Sequence, residues 1–369
     1  MAKAKPAVSK SAKSSATELH EKLLQIDRDI AQALDKRANL LLQSAEVIRQ
    51  DPKLLVEIDA EPRTRAEELI GEVSSLSGAQ LTSVMKEVLG ISRALVRPVR
   101  VAYLGPMYSY SHLAAIARFG SATDLMAVSS ISAVFEELGR NQAQYGVVPL
   151  ENSTDGRITD TLSMFAKRPA RICGEIQLAI HHHLLGKGSR GDVLEVYSKP
   201  QALSQCREWL ARHLPTARAV ETASTTVAAQ LAATKPGAAA IASIEAAQNY
   251  GLEVLASNIE DNPNNVTRFA VLGEERRKRT GRDKTALMYE LPHRSGSLAD
   301  SLTIFKKSGL NLTWIESFPM PGTKQEYLFF VEFEGHESEA DAQAAIAKLR
   351  KSAVRLEVLG SYAKSEPIG

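Results

Sequence analysis

The sequence predicts three consecutive folds: an all-α helical module, a two-lobed α/β domain around a cleft, and an α+β ferredoxin-like domain. Three observations carry this. Residues 18–98 keep a helical period and contain no β-rich run. From about 99 to 275, short β-rich runs alternate with alanine-rich segments. From Thr285 the order is strand, helix, strand, strand, helix, strand. At 369 residues the chain is also too long for one core, which rarely grows past about 250 to 300 residues.

In the helical segment, Leu19, Leu23, Ile26, Ile30, Ala33, Arg37 and Leu40 fall at three- and four-residue steps, which is one helix face. "DPK" and "SSLSGA" supply breaks. A second helix is expected over about 63–75. A third, from about 79, carries Leu81, Val84, Met85, Val88, Leu89, Ile91 and Leu95. Arg37 sits on the apolar stripe. It is either an inward cation that needs an anion or a snorkelling arginine at a helix end. Residues 1–17 are Lys/Ser/Ala-rich and are expected to be disordered.

The β-rich runs are VRVAYLG, YGVVPL, EIQLAIHHHLL, VLEVYS, ARAVETA, AAAIAS and TRFAVL. They suggest a largely parallel sheet covered by helices. There are too many for one compact half, so 99–278 is expected to form two lobes. The second spans about 180–258, and the chain returns near 260. "GEERRKRTGRDK" is a basic, polar linker, and the ferredoxin-like domain covers 283–366.

Composition is that of an ordinary soluble protein, 44% hydrophobic and 24% charged. Lys3, Lys5, Lys10 and Lys13 contribute +4 to a net charge of +2, which leaves the remainder near −2. That balance points to neither nucleic acid nor a membrane surface. Cys173 and Cys206 are too few for a disulfide framework or a zinc site. No apolar run approaches the roughly 18 residues of a spanning helix. The first seventeen residues lack the apolar core of a secretory signal, so the expected compartment is the cytoplasm.

The candidate chemistry lies at strand ends, where open α/β sheets bind ligands. "VAYLGPMYSYSHLAA" runs from a strand through a Gly-Pro turn into a helix, with Ser109 and Ser111 at the helix start. "YGVVPLENSTDG" crowds Glu151, Asn152, Ser153 and Thr154 at a strand end. "ETASTTVAAQL" offers Ser224, Thr225 or Thr226 as a cap, and "YSKPQALSQC" offers Ser198 and Gln205. Each reads equally as a cap or turn. Together, neutral donors with few acids suit a small carboxylate-bearing molecule. "NNVTRFAVL" places Thr267 and Arg268 at a strand entry. In "IHHHLL", His181 and His183 share one strand face and His182 the other, which favours packing over metal binding.

The motifs "VAYLGPMYSYSHLAA", "VVPLENSTDG", "YSKPQALSQC", "AAAIASIEAAQNYGLEVLASNIEDNPNNVTRF" and "DKTALMYEL…NLTWIESFP…VLGSY" follow one another in this order. Over about 99–365 they resemble prephenate dehydratase followed by its ACT domain, with "NxTRF" and "PxENS" the specific signatures. The helices in front resemble the AroQ-type chorismate mutase module. The whole resembles the bifunctional chorismate mutase/prephenate dehydratases of phenylalanine biosynthesis. That resemblance implies a cleft like that of type II periplasmic binding proteins. It also implies conversion of prephenate to phenylpyruvate, carbon dioxide and water, without metal or cofactor. Thr267 would help the ring hydroxyl leave. Arg268 would clamp a carboxylate or brace the loop. Asn152, Ser153, Ser111, Thr225, Ser198 and Gln205 would supply neutral donors. L-phenylalanine would act as allosteric ligand at Gly296, Ser297, Leu298, Asn311, Glu316 and Ser317. A homodimer or tetramer would form through the helical and ACT domains.

Departures from the family pattern matter. Tyr108 replaces a glycine and is expected to change the loop's backbone angles. Arg37 and Ser92 match the mutase site, but His20, Ile48 and Val96 stand where an arginine, a lysine and a glutamine belong. Lysine and glutamine there stabilise the developing charge on the ether oxygen. Mutase activity is therefore expected to be weak or absent, the helices serving dimerisation. Phe318 replaces the arginine of the "ESRP" motif, which weakens the expected feedback site. The other readings are a fully active bifunctional enzyme, an arogenate dehydratase, and a binding protein of the same two-lobed fold.

Overall fold

The computed structural model describes residues 10–51, 54, 62–96, 98–319 and 327–368. It divides into two compact units: Met1–Pro98 with Gly120–Thr123, and Val99–Phe119 with Asp124–Gly369.

The first unit is helical. Helix α1 runs Lys10–Gln43, α2 Ala45–Gln50, α3 Pro62–Leu69 and α4 Gly78–Val96. Helix α1 begins inside the segment expected to be disordered, because "KSAKSSATELHEK" is rich in helix-favouring Ala, Lys and Glu. Residues 1–9 lie outside the described residues. Pro62 starts α3, where a missing N–H costs nothing. The predicted apolar face of α1 is exposed: Leu19 is 59% accessible and Leu40 64%. Among the described residues of one chain it lacks the covering partner that such a stripe ordinarily has.

The second unit holds three sheets. Strands β1 (Arg100–Leu104), β2 (Asp124–Val128), β3 (Tyr145–Asn152), β4 (Gly156–Arg157), β5 (Ile172–Ala179) and β11 (Val266–Gly273) form the first with the short β16 (Pro367–Ile368). Its order is β16-β5-β11-β3-β1-β2, with β4 on β3. Helices α5 (Tyr110–Phe119), α6 (Ile131–Gly139) and α7 (Thr159–Lys167) connect its strands. The second sheet, β10-β6-β9-β7-β8, uses His183–Gly186 (β6), Glu195–Ser198 (β7), Arg218–Glu221 (β8), Ala238–Ala242 (β9) and Glu253–Ala256 (β10). Its helices are α8 (Pro200–Gln205), α9 (Arg207–His213), α10 (Thr225–Thr234) and α11 (Ile244–Tyr250).

Two expectations are corrected here. EIQLAIHHHLL is not one strand: it ends as β5 at Ala179 and resumes as β6 at His183. Between them the chain crosses to the second sheet beside its own return path. Ile259 N donates to His182 O at 2.8 Å, and Ile180 N to Asn265 O at 2.8 Å. The first sheet is also mixed rather than largely parallel. Strand β1 pairs in parallel with β2 and β3, but β11 runs antiparallel to both β3 and β5. A strand returning from the other lobe enters from the opposite end. Strands β2 and β10, at sheet edges, were not anticipated.

The C-terminal sheet, β13-β14-β12-β15, comprises Asp283–Glu290 (β12), Leu312–Pro319 (β13), Tyr327–Glu334 (β14) and Arg355–Ala363 (β15). Helices α12 (Ser297–Lys307) and α13 (Ala340–Ser352) complete the βαββαβ order. Every pair in this sheet is antiparallel. One of its faces shares a core with the first sheet. Val148, Leu150, Phe165, Ile172 and Leu272 pack with Met288, Phe318, Leu328, Phe330 and Tyr362. Burying each such large side chain contributes roughly 1.5–3 kcal/mol. The approach is closest at Gly360, φ +146°, where a Cβ would run into the carbonyl oxygen of Ile172. No helix among the described residues is long and apolar enough to cross a membrane.

Candidate active site

Strand β11 lies between β3 and β5, and its first residues decide the site. Thr267 pairs with Asn152 across β3 and Arg268 pairs with Glu151. Successive strand residues face opposite sides. Asn152 and Thr267 therefore share one face, and Glu151 and Arg268 share the other.

On the first face the hydrogen bonds have a fixed direction. Asn152 Oδ1 accepts from Thr154 N at 2.9 Å and Asp155 N at 3.0 Å. Backbone N–H groups only donate, so the oxygen must point there and the amide nitrogen must point away. Asn152 Nδ2 donates to Thr267 Oγ1 at 2.8 Å and to Asn265 Oδ1 at 2.9 Å. Asn265 Nδ2 then donates to Gln205 Oε1 at 3.1 Å. Gln205 Nε2 donates to Asp155 Oδ2 at 2.9 Å, and this fixes the same orientation from the other end. His182 Nε2 lies 2.8 Å from Gln205 Oε1, so it carries the proton. Its Nδ1 lies 3.0 Å from Tyr110 Oη, which donates to His181 O at 2.8 Å. Burial lowers the His182 pKa, which favours the neutral ring.

Thr267 thus receives a hydrogen bond, and among the described residues no acceptor takes its own proton. The residue is 9% exposed. A hydroxyl polarised by a donor amide, with its proton free, is a hydrogen-bond donor to whatever occupies the space beside it.

The other face is ionic. Arg268 Nη1 meets Glu151 Oε2 at 2.9 Å, and Nη2 meets Glu175 Oε2 at 3.2 Å and both oxygens of Glu332 at 2.7 Å. Lys284 Nζ lies 3.1 Å from Glu175, and Tyr362 Oη donates to Glu332 Oε1 at 2.6 Å. Burial works against the charged guanidinium, but Glu332, Tyr362 and Glu175 outweigh it and raise its pKa. Of the two roles expected for Arg268, this geometry is that of a brace.

The other expected donors separate. Ser153 Oγ accepts from Val266 N at 2.9 Å and donates to Asn264 O at 3.3 Å, so it braces the entry to β11. Gln205 joins the two lobes, with one N–H left over. Ser198 is corrected: it is fully buried and its Oγ donates to Ile241 O at 2.7 Å on the neighbouring strand. Ser111 is on α5, and Thr225 opens α10 behind the Ser224 cap. Thr226 Oγ1 donates to Met107 O at 3.1 Å, which brings α10 against the Gly-Pro loop. The Tyr108 expectation is also corrected. Its φ of 65° is the left-handed conformation glycine favours. His112 Nδ1 accepts from Tyr108 N at 3.1 Å, and its ring stacks edge-on with His112 and Tyr250. His181 pairs with Glu260 at 2.8 Å.

The sequence reading missed Asn265, His182, Glu175 and Glu332. A signal existed for Asn265 and for the two acids. Asn265 is two residues before Thr267 and so shares its face. Glu175 stands alone inside "GEIQLA", and Glu332 is flanked by Val331 and Phe333 in "LFFVEFE", where a buried charge demands a partner.

A family model described as "Prephenate dehydratase" matches residues 101–277. A "Bifunctional chorismate mutase/prephenate dehydratase" of Aquifex aeolicus is 36% identical over 94% of this chain and 98% of its own length. This chain belongs to the prephenate dehydratase family. The "Prephenate dehydratase" of Amycolatopsis methanolica is 33% identical over 73% of this chain and 90% of its own. Among solved structures, the prephenate dehydratase of Arthrobacter aurescens in complex with L-Phe superposes with a TM-score of 0.68. It is 32% identical and covers 72% of this chain and 90% of that one. The matched segment of this dehydratase spans both lobes and carries Asn152 and Thr267.

In the helical unit, Arg37 hydrogen-bonds Ser92, so the two matching mutase positions meet. Burial and then the charge of Arg65 lower the Arg37 pKa. Ile48 and Val96 are both buried and pack on each other with Leu41. In the C-terminal sheet, Phe318 is buried in the core shared with the first sheet. Glu316 Oε2 accepts from Arg157 Nη1 at 2.7 Å, and Ser317 O accepts from the same nitrogen at 3.4 Å. Gly296 caps α12 with φ 83°, Ser297 Oγ donates to Pro292 O, and Leu298 is exposed. Asn311 donates to Glu334 beyond the far end of α12, whose 11 residues span about 16 Å.

Proposed function

We propose that this prephenate dehydratase uses Thr267 as the proton donor to the departing ring hydroxyl. The carbon–carbon bond to the ring carboxylate breaks, its electron pair enters the ring, and the carbon–oxygen bond breaks. The hydroxide leaves with the Thr267 proton as water, and solvent restores the threonine. Products are phenylpyruvate, carbon dioxide and water, with one proton taken up overall. Restored aromaticity drives the reaction, so the protein need only orient a dianion and meet the developing charge. The observation that carries this is the bond from Asn152 into Thr267 Oγ1, which turns the threonine proton outward. The unspent hydroxyls of Ser111 and Thr225 serve as neutral substrate donors. An arogenate substrate differs only in an amino group.

The C-terminal sheet is read as an ACT domain that binds L-phenylalanine, supported by the L-Phe complex of the Arthrobacter relative. Gly296, Ser297, Leu298, Glu316 and Ser317 supply one part of that site and Asn311 the other, which a second copy of the chain completes. The helical unit is a mutase-like dimerisation element of weak or absent activity, supported by the apolar Ile48–Val96 contact where charge-stabilising donors belong. An assay with prephenate, arogenate and chorismate, with and without L-phenylalanine, tests the substrate, the feedback and the mutase reading. Absence of phenylpyruvate from prephenate would overturn the reading.

A further inference from the structure

Thr267 sits beside an irregularity of its sheet. The pairing of β11 with β3 shifts register between Arg268 and Phe269, while β11 keeps a regular register with β5 from Val266 to Val271. Such a bulge re-aims side chains on the β3 side. Arg268 ties this irregular stretch to its neighbours. Its guanidinium reaches Glu151 on β3, Glu175 on β5 and Glu332 on β14. The strongest of these ties is to Glu332, which takes Nη2 with both oxygens at 2.7 Å and is fully buried. Glu332 belongs to the C-terminal sheet and faces away from Thr267's side of β11.

We propose that Glu332 is a positioning residue of the dehydratase site: from the C-terminal sheet it holds Arg268, and through Arg268 it fixes the backbone that carries Thr267. This rests on Thr267 being the proton donor. Its physical basis is the sensitivity of catalysis to placement, where a misplacement of about 1 Å costs on the order of a hundredfold. Arg268 itself has little left for a substrate. Its Nη groups are taken by carboxylates, and its Nε is buried with no partner among the described residues.

Glu332→Gln is a clean test. Arg268 and Lys284 carry two positive charges against Glu151, Glu175 and Glu332, so neutralising Glu332 leaves the cluster balanced. Tyr362 can still donate to the amide oxygen. In the full chain, kcat for prephenate is expected to fall at least tenfold with KM changed less than twofold, since Glu332 touches no substrate. Deuterium exchange in residues 266–270, read without substrate, is expected to speed up. Tyr362→Phe, which frees one Glu332 oxygen, should move both readouts the same way by less and stands in if Glu332→Gln fails to fold. The Arg268→Lys, Glu332→Gln double variant should be no slower than the worse single variant. Unchanged kcat with unchanged exchange, or losses that multiply in the double variant, would overturn the proposal. If the wild-type chain did not act on prephenate, the dehydratase reading would fail while the exchange data still decided the mechanical claim.

Discussion

Asn152 Nδ2 lies 2.8 Å from Thr267 Oγ1 and donates to it. The threonine proton is therefore directed away from its neighbour. Thr267→Val keeps the shape and removes that proton. General acid catalysis contributes typically 10²–10⁴-fold, so kcat is expected to drop at least about a hundredfold. The melting temperature should fall only modestly: one N–H of the buried Asn152 amide loses its acceptor, at about 1 kcal/mol or somewhat more, while the bond to Asn265 remains. Steady-state assays with thermal unfolding of the same sample check both halves. Near-normal turnover would remove Thr267 from the mechanism.

Asn152→Asp separates polarity from shape. An aspartate still accepts from the Thr154 and Asp155 amides, so the turn is kept. It has no N–H to give Thr267, whose proton would turn toward the carboxylate. It also adds negative charge beside a dianionic substrate. We expect kcat to fall about a hundredfold or more and KM to rise. A variant with wild-type kcat would show that the direction of this bond is irrelevant.

Ser198 and Thr225 should part company. Ser198→Ala deletes a buried bond to Ile241 O, at a cost of about 1 kcal/mol of stability, with kcat and KM within twofold. Thr225→Val removes a hydroxyl that none of the described contacts engages, so KM should rise several-fold with stability nearly unchanged. The opposite pattern, measured by kinetics and denaturant unfolding, would return Ser198 to the site.

Acid should destabilise the fold in a defined window. Burial lowers the pKa values of His112, His182 and His183 below 6.5. In each case the unfolded chain binds the proton more readily, so stability is complete above about pH 6.5 and is lost as pH falls through the depressed folded values. His182→Gln cannot titrate at that position. Its melting temperature should fall less steeply between pH 7 and 5.5 than that of the wild type. Parallel curves for the two proteins would mean that His182 does not titrate in that range.

Chorismate turnover should be at least about a hundredfold below that of an ordinary mutase, because Ile48 and Val96 present hydrocarbon where donors act on the transition state. A purified full chain with an ordinary mutase rate would overturn this.

Much of the fold was legible in the chain. The βαββαβ order from Thr285 follows from strand and helix periods alone, and the strand-to-helix turns mark where polar residues gather. Periodicity is a local property, and these elements are set locally. A lobe boundary was expected near 180, but the end of one strand and start of another inside EIQLAIHHHLL were not legible, because an apolar run looks the same whether it continues in one sheet or crosses to another. Sheet direction was also hidden, since pairing depends on which end a returning strand enters.

The sequence by itself determined which residue types stand at the site: a threonine, an asparagine and a cluster of hydroxyls at strand ends. It also set the expectation that mutase donors are missing. Only the tertiary structure decided the hydrogen-bond partners of the site residues. Strand pairing put Asn152 opposite Thr267, and the backbone amides of Thr154 and Asp155 turned the Asn152 amide so that it donates. Packing the C-terminal sheet on the first brought Glu332 within 2.7 Å of Arg268 and made a brace of an arginine that sequence alone left ambiguous. Whether a polar group donates, accepts or is already spent depends on partners far away in the chain, and only folding brings those partners together.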